Sequence, residues 1–291
     1  RQFTEVFILD KVQRQDAAGA EDIRQRVFID LLLRARDAQL TEDDWNILLE
    51  RDPSRQTVET KADFEDATRL FYSKSEVNDY NSKRVRAVGT PIVKCAATLN
   101  CATARRAPAD TASGLKTVLF LGKGAKVMLT KNLWQEAGLV NGIRGEVVEI
   151  VYTEGAPAPL PPCYVVVRFD GYTGPDRSSG ERYRGCVHIS PVQSAWSSGG
   201  ANGEGNTVTR TQLPLKLCWA LTMHKSQGQT LDKAVIDLGK REACTGLTFF
   251  CLSLAKRIDD VLVTAMPFDR IGRLGQSPVL QARRVEEVRL R

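Results

Sequence analysis

The spacing of hydrophobic and polar positions changes along the chain, and each spacing predicts a different element. Phe3 to Leu9 alternates apolar and polar residues, as a half-buried strand does, and Asp10 to Gln15 follows as a charged turn. From Asp22 to Arg36 the apolar residues recur instead at the spacing of a helix that buries one side. The chain is therefore predicted to open with a strand and an amphipathic helix.

Local signals predict the next elements. Thr41 has the character of a helix N-cap because Asp44 follows three residues later, and Pro53 ends that helix. Thr68 to Tyr72 is typical of a second strand, and Ser75 to Val85 of a helix that begins at a serine cap.

From about Thr117 the pattern changes to short apolar runs separated by Gly, Pro and Asn turns. Many short strands at close spacing favour a small barrel or sandwich, and Ser197 to Gly205 is predicted to be a flexible loop. The predicted strands are Val118–Leu121, Val127–Leu129, Val147–Val151 and Tyr164–Phe169.

Strands and helices of the α/β kind then return. The predicted elements are a strand at Leu215–Leu221, a strand at Val235–Leu238, a helix at Leu247–Lys256 and a strand at Val261–Thr264. The sequence thus predicts an α/β domain that is interrupted and then completed. Its first part spans residues 1–116, the β-rich insert 117–212, and the completion with a basic tail 213–291.

Composition limits the classes of protein and partner. With 291 residues, of which 42% are hydrophobic, the chain can bury a core and need not be disordered. Its net charge of +6 suits a polyanionic partner. Arginines are concentrated after Phe268, where the tail is either a solvated, frayed helix or a nucleic-acid contact.

Cysteine and histidine usage predicts neither a metal site nor a disulfide framework. The seven cysteines are scattered without a C-x-x-C pair, and His188 and His224 are the two histidines. A reducing, intracellular compartment is expected, with Cys218 and Cys251 as core residues. The sequence shows no membrane span and no signal peptide, so no membrane partner is expected.

The segment from Trp219 to Thr230, WALTMHKSQGQT, carries the strongest chemical signal. An apolar run ends at Leu221 and delivers a loop with hydroxyl, amide and ammonium donors and a glycine. An α/β domain that handles nucleotides or nucleic acid needs such a loop at the carboxyl end of a strand. The alternative is a solvated turn with a structural glycine.

Six segments, in order, resemble the petite-integration-frequency (Pif) and Helitron transposon helicases of superfamily 1. They are LDKVQRQ (9–15, motif IV), RLFYSKSEVNDYN (69–81), GAKVMLTKNLWQEAGLVNGIRGEVVEI (124–150), VVVRFDGYTGP (165–175), RTQLPLKLCWALTMHKSQGQTLDKAVIDLG (210–239, motif V) and GLTFFCLSLAKRIDDVLV (246–263, motif VI).

The resemblance implies a RecA-like parallel sheet with helices on both faces, interrupted by a small inserted SH3-like β-barrel. Such a chain would be the C-terminal half of an ATP-dependent 5′–3′ DNA helicase, with single-stranded DNA and the N-terminal RecA-like domain of the same protein as partners. ATP and Mg²⁺ would be held mainly by that N-terminal domain. A nuclear location is expected, with mitochondria as the alternative, and the family roles to be considered are DNA repair, recombination, telomere maintenance and transposition.

The resemblance also implies which residues meet DNA. His224, Lys225 and Ser226 would contact phosphate through charge and hydrogen bonds that ignore base identity, and Thr222 is a further candidate.

In the insert, Asn132, Trp134, Asn141 and Arg144 are candidate contacts to single-stranded DNA. The alternative, which we favour for two of them, is that Trp134 is partly buried and that Asn141 belongs to a turn. His188 is predicted to be a strand residue of the barrel.

For the ATP cleft, Arg14 resembles the motif IV arginine that reaches the γ-phosphate, and its assigned role is catalytic. Its alternative is a surface arginine at the end of a strand. Gln227 and Gly228 would face the nucleotide, because a glycine lets the backbone approach phosphate closely.

Motif VI departs from the family pattern. An arginine usually follows its Leu-Ser pair, whereas here Leu254 follows Ser253, and leucine offers neither charge nor donors. Lys256 and Arg257 lie on the same predicted helix, and Lys256 is the candidate for the ATP cleft. Neither is an assured substitute, so ATPase competence is in doubt.

The P-loop pattern G-x-x-x-x-G-K-[ST] is missing from the sequence, since Gly122-Lys123 is followed by Gly124. We expect the P-loop and the magnesium-binding acidic motif to precede Arg1 in a longer protein, and the chain alone to be inactive. A second hypothesis is a degenerate transposon-derived remnant that binds DNA without hydrolysing ATP. A third, an unrelated β-rich binding module, leaves the flanking motifs unexplained.

Overall fold

A computed structural model describes residues 13–16, 22–152, 162–176, 180–198, 206–239, 246–264, 267–269, 273 and 275–290. The chain forms two compact units. We call residues 1–78 with 220–291 the parallel unit, and residues 79–219 the β-rich unit. The predicted strand Phe3–Leu9 and residues 199–205 of the predicted loop lie outside the described residues.

The helices are α1 (Gln13–Asp16), α2 (Ile23–Arg36), α3 (Glu42–Glu50), α4 (Val58–Asp63), α5 (Lys74–Ala87), α6 (Ala102–Arg106), α7 (Leu247–Leu252) and α8 (Pro278–Leu290). The strands are β1 (Thr68–Phe71), β2 (Val93–Ala96), β3 (Thr98–Leu99), β4 (Val118–Leu121), β5 (Lys126–Leu129), β6 (Arg144–Val151), β7 (Tyr164–Phe169), β8 (Cys186–Ile189), β9 (Val192–Ser197), β10 (Thr207–Gln212), β11 (Leu215–Leu217), β12 (Ala220–Thr222), β13 (Ala234–Asp237) and β14 (Val261–Thr264).

The parallel unit is built on a four-stranded sheet in the order β12-β1-β13-β14, with every pairing parallel. Strands β12, β13 and β14 are buried along nearly their whole length. Such continuous burial is typical of a parallel sheet that is covered on both faces. The predicted α/β domain with a β-rich interruption is therefore confirmed.

The capping signal at Thr41 was correct, whereas two other local predictions need correction. The Thr41 side chain accepts from the Asp44 amide while the Asp44 carboxylate accepts from the Thr41 amide, which is a capping box at the start of α3. Helix α5 begins one residue before the predicted Ser75, because Ser73 rather than Ser75 forms the cap with Glu76. The predicted turn up to Gln15 contains the short helix α1.

Two predicted elements were wrong. The predicted strand Leu215–Leu221 is two strands, since β11 pairs antiparallel with β5 in the β-rich unit and β12 pairs parallel with β1. The predicted helix Leu247–Lys256 ends at Leu252, because Ala255 leaves the helix to form a parallel bridge with Leu231. Lys256 is therefore not helical.

The described residues of the β-rich unit form antiparallel sheets, and one apolar core joins the five-stranded sheet to the β2-β4 pair. The sheets are β11-β5-β6-β7-β8, β3-β10-β9 and β2-β4. The unit is wider than the predicted insert 117–212, because β2 pairs with β4 and β3 with β10. The amide of buried Asn81 donates to the Leu217 carbonyl at 3.4 Å, which joins the beginning of the unit to its end.

Arg210 is a fully buried cation in the β-rich unit. Its guanidinium donates to the carbonyls of Leu115 at 2.7 Å and Ala107 at 2.7 Å, and also to that of Ala104. It lies 5.7 Å from the ring centroid of Trp196, and burial lowers its pKa. One side chain thus holds the C-terminal end of α6 and the segment before β4 against β10.

We expect Arg210→Met to destabilise the β-rich unit by at least about 3 kcal/mol, because several buried carbonyls lose their donors. Urea unfolding followed by tryptophan fluorescence would measure the change. Arg105→Met, at an exposed arginine of α6, is the control and should alter stability by less than about 0.5 kcal/mol. Equal, small effects of both substitutions would contradict this account of Arg210.

Candidate functional site

The carboxyl ends of β1 and β12 bring two distant segments together. The strands pair in parallel with Phe71 opposite Thr222, so the residues that follow each strand leave from one edge of the sheet. The rings of Tyr72 and His224 lie at that edge with centroids 5.8 Å apart. Parallel sheets place ligands outside the carboxyl ends of their strands, and the predicted motif V loop begins there.

The segment after β12 is one 3-10 turn, Met223–Ser226. The Thr222 hydroxyl accepts from the Lys225 amide at 3.3 Å and caps the turn. His224 and Lys225 are exposed, whereas Met223 is buried. The turn therefore presents its two basic side chains outward, as a phosphate contact requires.

Ser226 departs from its predicted role as a DNA contact. It is fully buried, and its hydroxyl donates to the Met223 carbonyl at 2.6 Å. The donor is therefore engaged inside the turn, where a phosphate cannot reach it. The sequence pattern identified the loop correctly but could not show which of its polar side chains point inward.

Gln227 and Gly228 follow as exposed residues. Gly228 has φ +81°, and a Cβ at this position would meet no atom within 4 Å. The glycine is thus required by its left-handed backbone, and it also leaves open space beside the loop. Both features suit close approach of a ligand to the backbone.

Arg14 links this loop to the segment after α7. Its Nε donates to the Thr230 hydroxyl at 3.2 Å and its Nη2 to the Gln229 carbonyl at 3.2 Å, while Nη1 donates to the Ser253 carbonyl. The structure thus brings predicted motifs IV, V and VI together through one half-buried guanidinium. In this arrangement the side chain is a tether between loops rather than a free surface arginine.

Two buried glutamines extend that tether and were missed by sequence reasoning. The Gln15 amide donates to the carbonyls of Ser253 at 3.1 Å and Ala255 at 2.8 Å. The Gln25 amide donates to the carbonyls of Gln15 at 3.0 Å and Lys256 at 2.8 Å. A glutamine on the buried side of a predicted helix was the available signal, since a buried amide needs partners.

The segment around Leu254, the residue at the position of the motif VI arginine, is mostly buried. Leu254 is 1% exposed and packs in the interior, so an arginine there would have to leave the core. Lys256 is exposed, and its ammonium lies 3.9 Å from the Asp232 carboxylate. Nothing in these contacts directs Lys256 toward Arg14.

The candidates in the β-rich unit lie around the loop between β5 and β6. The side-chain oxygen Oδ1 of Asn132 accepts from the backbone amide of Asn141 at 2.7 Å and closes the loop. Trp134 is 43% exposed, and Arg144 is half-buried at the start of β6. His188 lies in β8 as expected, and its ring stacks on that of Tyr164 at 4.6 Å.

The described residues contain no cluster of His, Cys, Asp or Glu that could bind a metal ion. Among the same residues, no helix has the length and apolarity needed to cross a membrane.

Cys218 and Cys251 are buried as predicted, and burial raises the pKa of the Cys218 thiol to about 12.

Comparisons with known proteins agree with this architecture. Residues 112–150 match the family described as DNA helicase Pif1, 2B domain. The ATP-dependent DNA helicase PIF1 of Danio rerio is 31% identical over 267 residues, which cover 91% of the chain and 37% of that protein. The Xenopus laevis PIF1 helicase is 40% identical over 153 residues, covering 51% of the chain and 19% of that protein.

Solved structures show the same fold. The Pif1 helicase from Candida albicans superimposes with a TM-score of 0.69 at 22% identity, covering 96% of the chain and 59% of that structure. Bacteroides Pif1 bound to ssDNA gives 0.62 at 21% identity, covering 84% of the chain and 50% of that structure.

The fold is that of a RecA-like domain with an inserted β domain, as in the Pif1 helicase structure from Candida albicans. The chain belongs to the Pif1-type helicases and corresponds to their C-terminal part. It spans 37% of the length of the Danio rerio relative and 20% of the Mus musculus relative.

We expect Gln15→Met to loosen the segment after α7, because the buried Ala255 carbonyl would lose its donor at a cost of about 2 kcal/mol. Amide hydrogen exchange of residues 247–256 should accelerate. Gln56→Met is the matched control, since the Gln56 amide also donates to two carbonyls, but in a more exposed position. Unchanged exchange in Gln15→Met would contradict the proposed tether.

Proposed function

We propose that this chain is the C-terminal half of an ATP-dependent DNA helicase that moves 5′ to 3′. Its parallel unit would form one wall of the ATP cleft and part of the track for single-stranded DNA. The observation that carries the proposal is the carboxyl edge of the parallel sheet. There, an outward-facing basic turn continues into a glycine loop that Arg14 ties to the segment after α7.

On the DNA side, His224 and Lys225 would meet phosphates, with Thr222 holding the turn that presents them. These contacts ignore base identity, which suits an enzyme that travels along any sequence. Asn132 and Arg144 of the β-rich unit would be separate contacts to single-stranded DNA. Ser226 would support the turn from inside rather than touch DNA.

On the nucleotide side, the open loop at Gln227 and Gly228 would face ATP, and Arg14 would reach its γ-phosphate. Arg14 now donates to two backbone carbonyls, so reaching a phosphate means exchanging neutral acceptors for a charged one. Hydrogen bonds to charged groups are about twice as strong, which favours that exchange. Bound ATP would supply the phosphoryl group and the free energy of hydrolysis, with Mg²⁺ held by the N-terminal domain.

The second candidate is a remnant that binds DNA but no longer hydrolyses ATP. Its motivating observation is Leu254, which is buried where the family pattern has an arginine. Both candidate functions place DNA at the carboxyl edge of the parallel sheet. They differ in whether Arg14 alone supplies the positive charge that ATP hydrolysis needs from this side of the cleft.

The test is DNA-stimulated ATP hydrolysis by the full-length protein, together with its Arg14→Ala variant. We expect strong stimulation in the unmodified protein and a loss of roughly a thousandfold in the variant, the scale of arginine-finger removal. Binding of single-stranded DNA should change little. Arg24→Ala, at an exposed arginine of the same unit that pairs with Asp259, is the control and should keep full activity.

No stimulated hydrolysis in the unmodified protein, with DNA binding intact, would favour the remnant. Equal activity of the Arg14→Ala and Arg24→Ala variants would remove Arg14 from the cleft. Unwinding of substrates with a 5′ or a 3′ single-stranded tail would test the direction, and a preference for the 3′ tail would overturn it.

A further inference from the structure

Tyr72 is an exposed aromatic residue at the carboxyl edge of the parallel sheet. Neither the sequence motifs nor the match to the 2B domain assigns it a role. It follows β1 directly, yet 49% of it is exposed, while Leu70 two residues earlier is fully buried. The ring therefore contributes little to the core. Its immediate neighbour is the exposed His224, whose ring centroid lies 5.8 Å away.

The backbone around Tyr72 is firmly held. On one side lies β1, which pairs with both β12 and β13. On the other side Ser73 caps α5: the Ser73 hydroxyl donates to the Glu76 carboxylate at 2.6 Å, and the Glu76 amide donates back to it at 3.2 Å. An aromatic side chain with few rotatable bonds on such a support binds with a small loss of conformational entropy.

We propose that Tyr72 stacks on a base of single-stranded DNA whose neighbouring phosphates are held by His224 and Lys225. The inference rests on the proposed function and adds a base-stacking contact to its phosphate contacts. Stacking accepts every base because each has a π face, so the site would remain independent of sequence.

The geometry favours the outer face of Tyr72 as the contact. The two rings are inclined at 56°, and inserting a base between them would need about 7 Å, or two van der Waals spacings. Their separation of 5.8 Å is too small for that. His224 would therefore support the tyrosine from the side, while the base covers the exposed face.

The charges beside the ring favour a nucleic acid over an apolar protein segment. Lys74, His224 and Lys225 are all exposed around the same edge, and Glu76 is engaged in the cap of α5. A planar apolar ring among basic side chains matches a strand that alternates bases with phosphates.

The experiment measures binding of the full-length protein to a single-stranded oligonucleotide and to the same strand carrying one abasic site at varied positions. Four proteins are compared: unmodified, Tyr72→Ala, Tyr72→Phe and Phe120→Ala. Phe120 is the matched control because it is a ring of similar exposure, 46%, on the β-rich unit.

We expect Tyr72→Ala to bind the intact strand about 5- to 150-fold more weakly, the range for one stacked base. Tyr72→Phe and Phe120→Ala should bind within about twofold of the unmodified protein. At one position, the abasic site should weaken DNA binding by the unmodified protein as much as Tyr72→Ala does. The same abasic site should not weaken binding by Tyr72→Ala any further, because the two changes remove the same contact.

Losses of DNA affinity from the abasic site and from Tyr72→Ala that add to each other would overturn the proposal. Unchanged DNA binding by Tyr72→Ala would also overturn it, and this is the result expected if the ring instead binds a protein segment. Should Tyr72→Ala fail to fold, the abasic scan of the unmodified and Tyr72→Phe proteins decides, since no sensitive position would overturn stacking. Salt-sensitive binding without a Tyr72 effect would reject stacking alone. Failure of the unmodified protein to bind the strand would reject the proposed function as well.

Discussion

The pairing of β1 with β12 is the constraint on which the rest of the structure depends. It joins Arg69 to Ala220 across the entire β-rich unit, in a sheet that β13 and β14 then complete. Closing a loop costs only about 0.6 kcal/mol for each doubling of its length, so an insertion of this size is tolerable. The hydrogen bond from Asn81 to Leu217 helps further, because it keeps the two ends of the insertion together.

That pairing also brings together the polar and aromatic side chains at the carboxyl edge of the sheet. With β1 and β12 side by side, the residues that follow them are neighbours although they are far apart in sequence. A second set of long-range bonds fixes the loop after β12 and the segment after α7, since Arg14, Gln15 and Gln25 together donate to carbonyls on both. The proposed function assigns the outward-facing basic residues to DNA and Arg14 of the donor network to ATP.

Local sequence signals predicted most of the helices and strands. Strand pairing and the direction of polar side chains depend on distant residues, and local signals could not predict them. The box of Thr41 and Asp44 was predictable because both partners lie within one helical turn. The apolar run from Leu215 to Leu221 was not, because its period is the same whether a strand joins β5 or β1. Ser226 was assigned to DNA from its motif, whereas its hydroxyl turns inward to Met223.

The proposed DNA-facing role of the carboxyl edge is tested most directly by the salt dependence of single-stranded DNA binding. Each phosphate contact on a single strand contributes about 0.7 to the slope of log affinity against log salt concentration. We expect Lys225→Ala in the full-length protein to lower that slope by about this amount, and Lys61→Ala, at an exposed lysine of α4, to leave it unchanged. An unchanged slope in Lys225→Ala would contradict the placement of the DNA track along this edge.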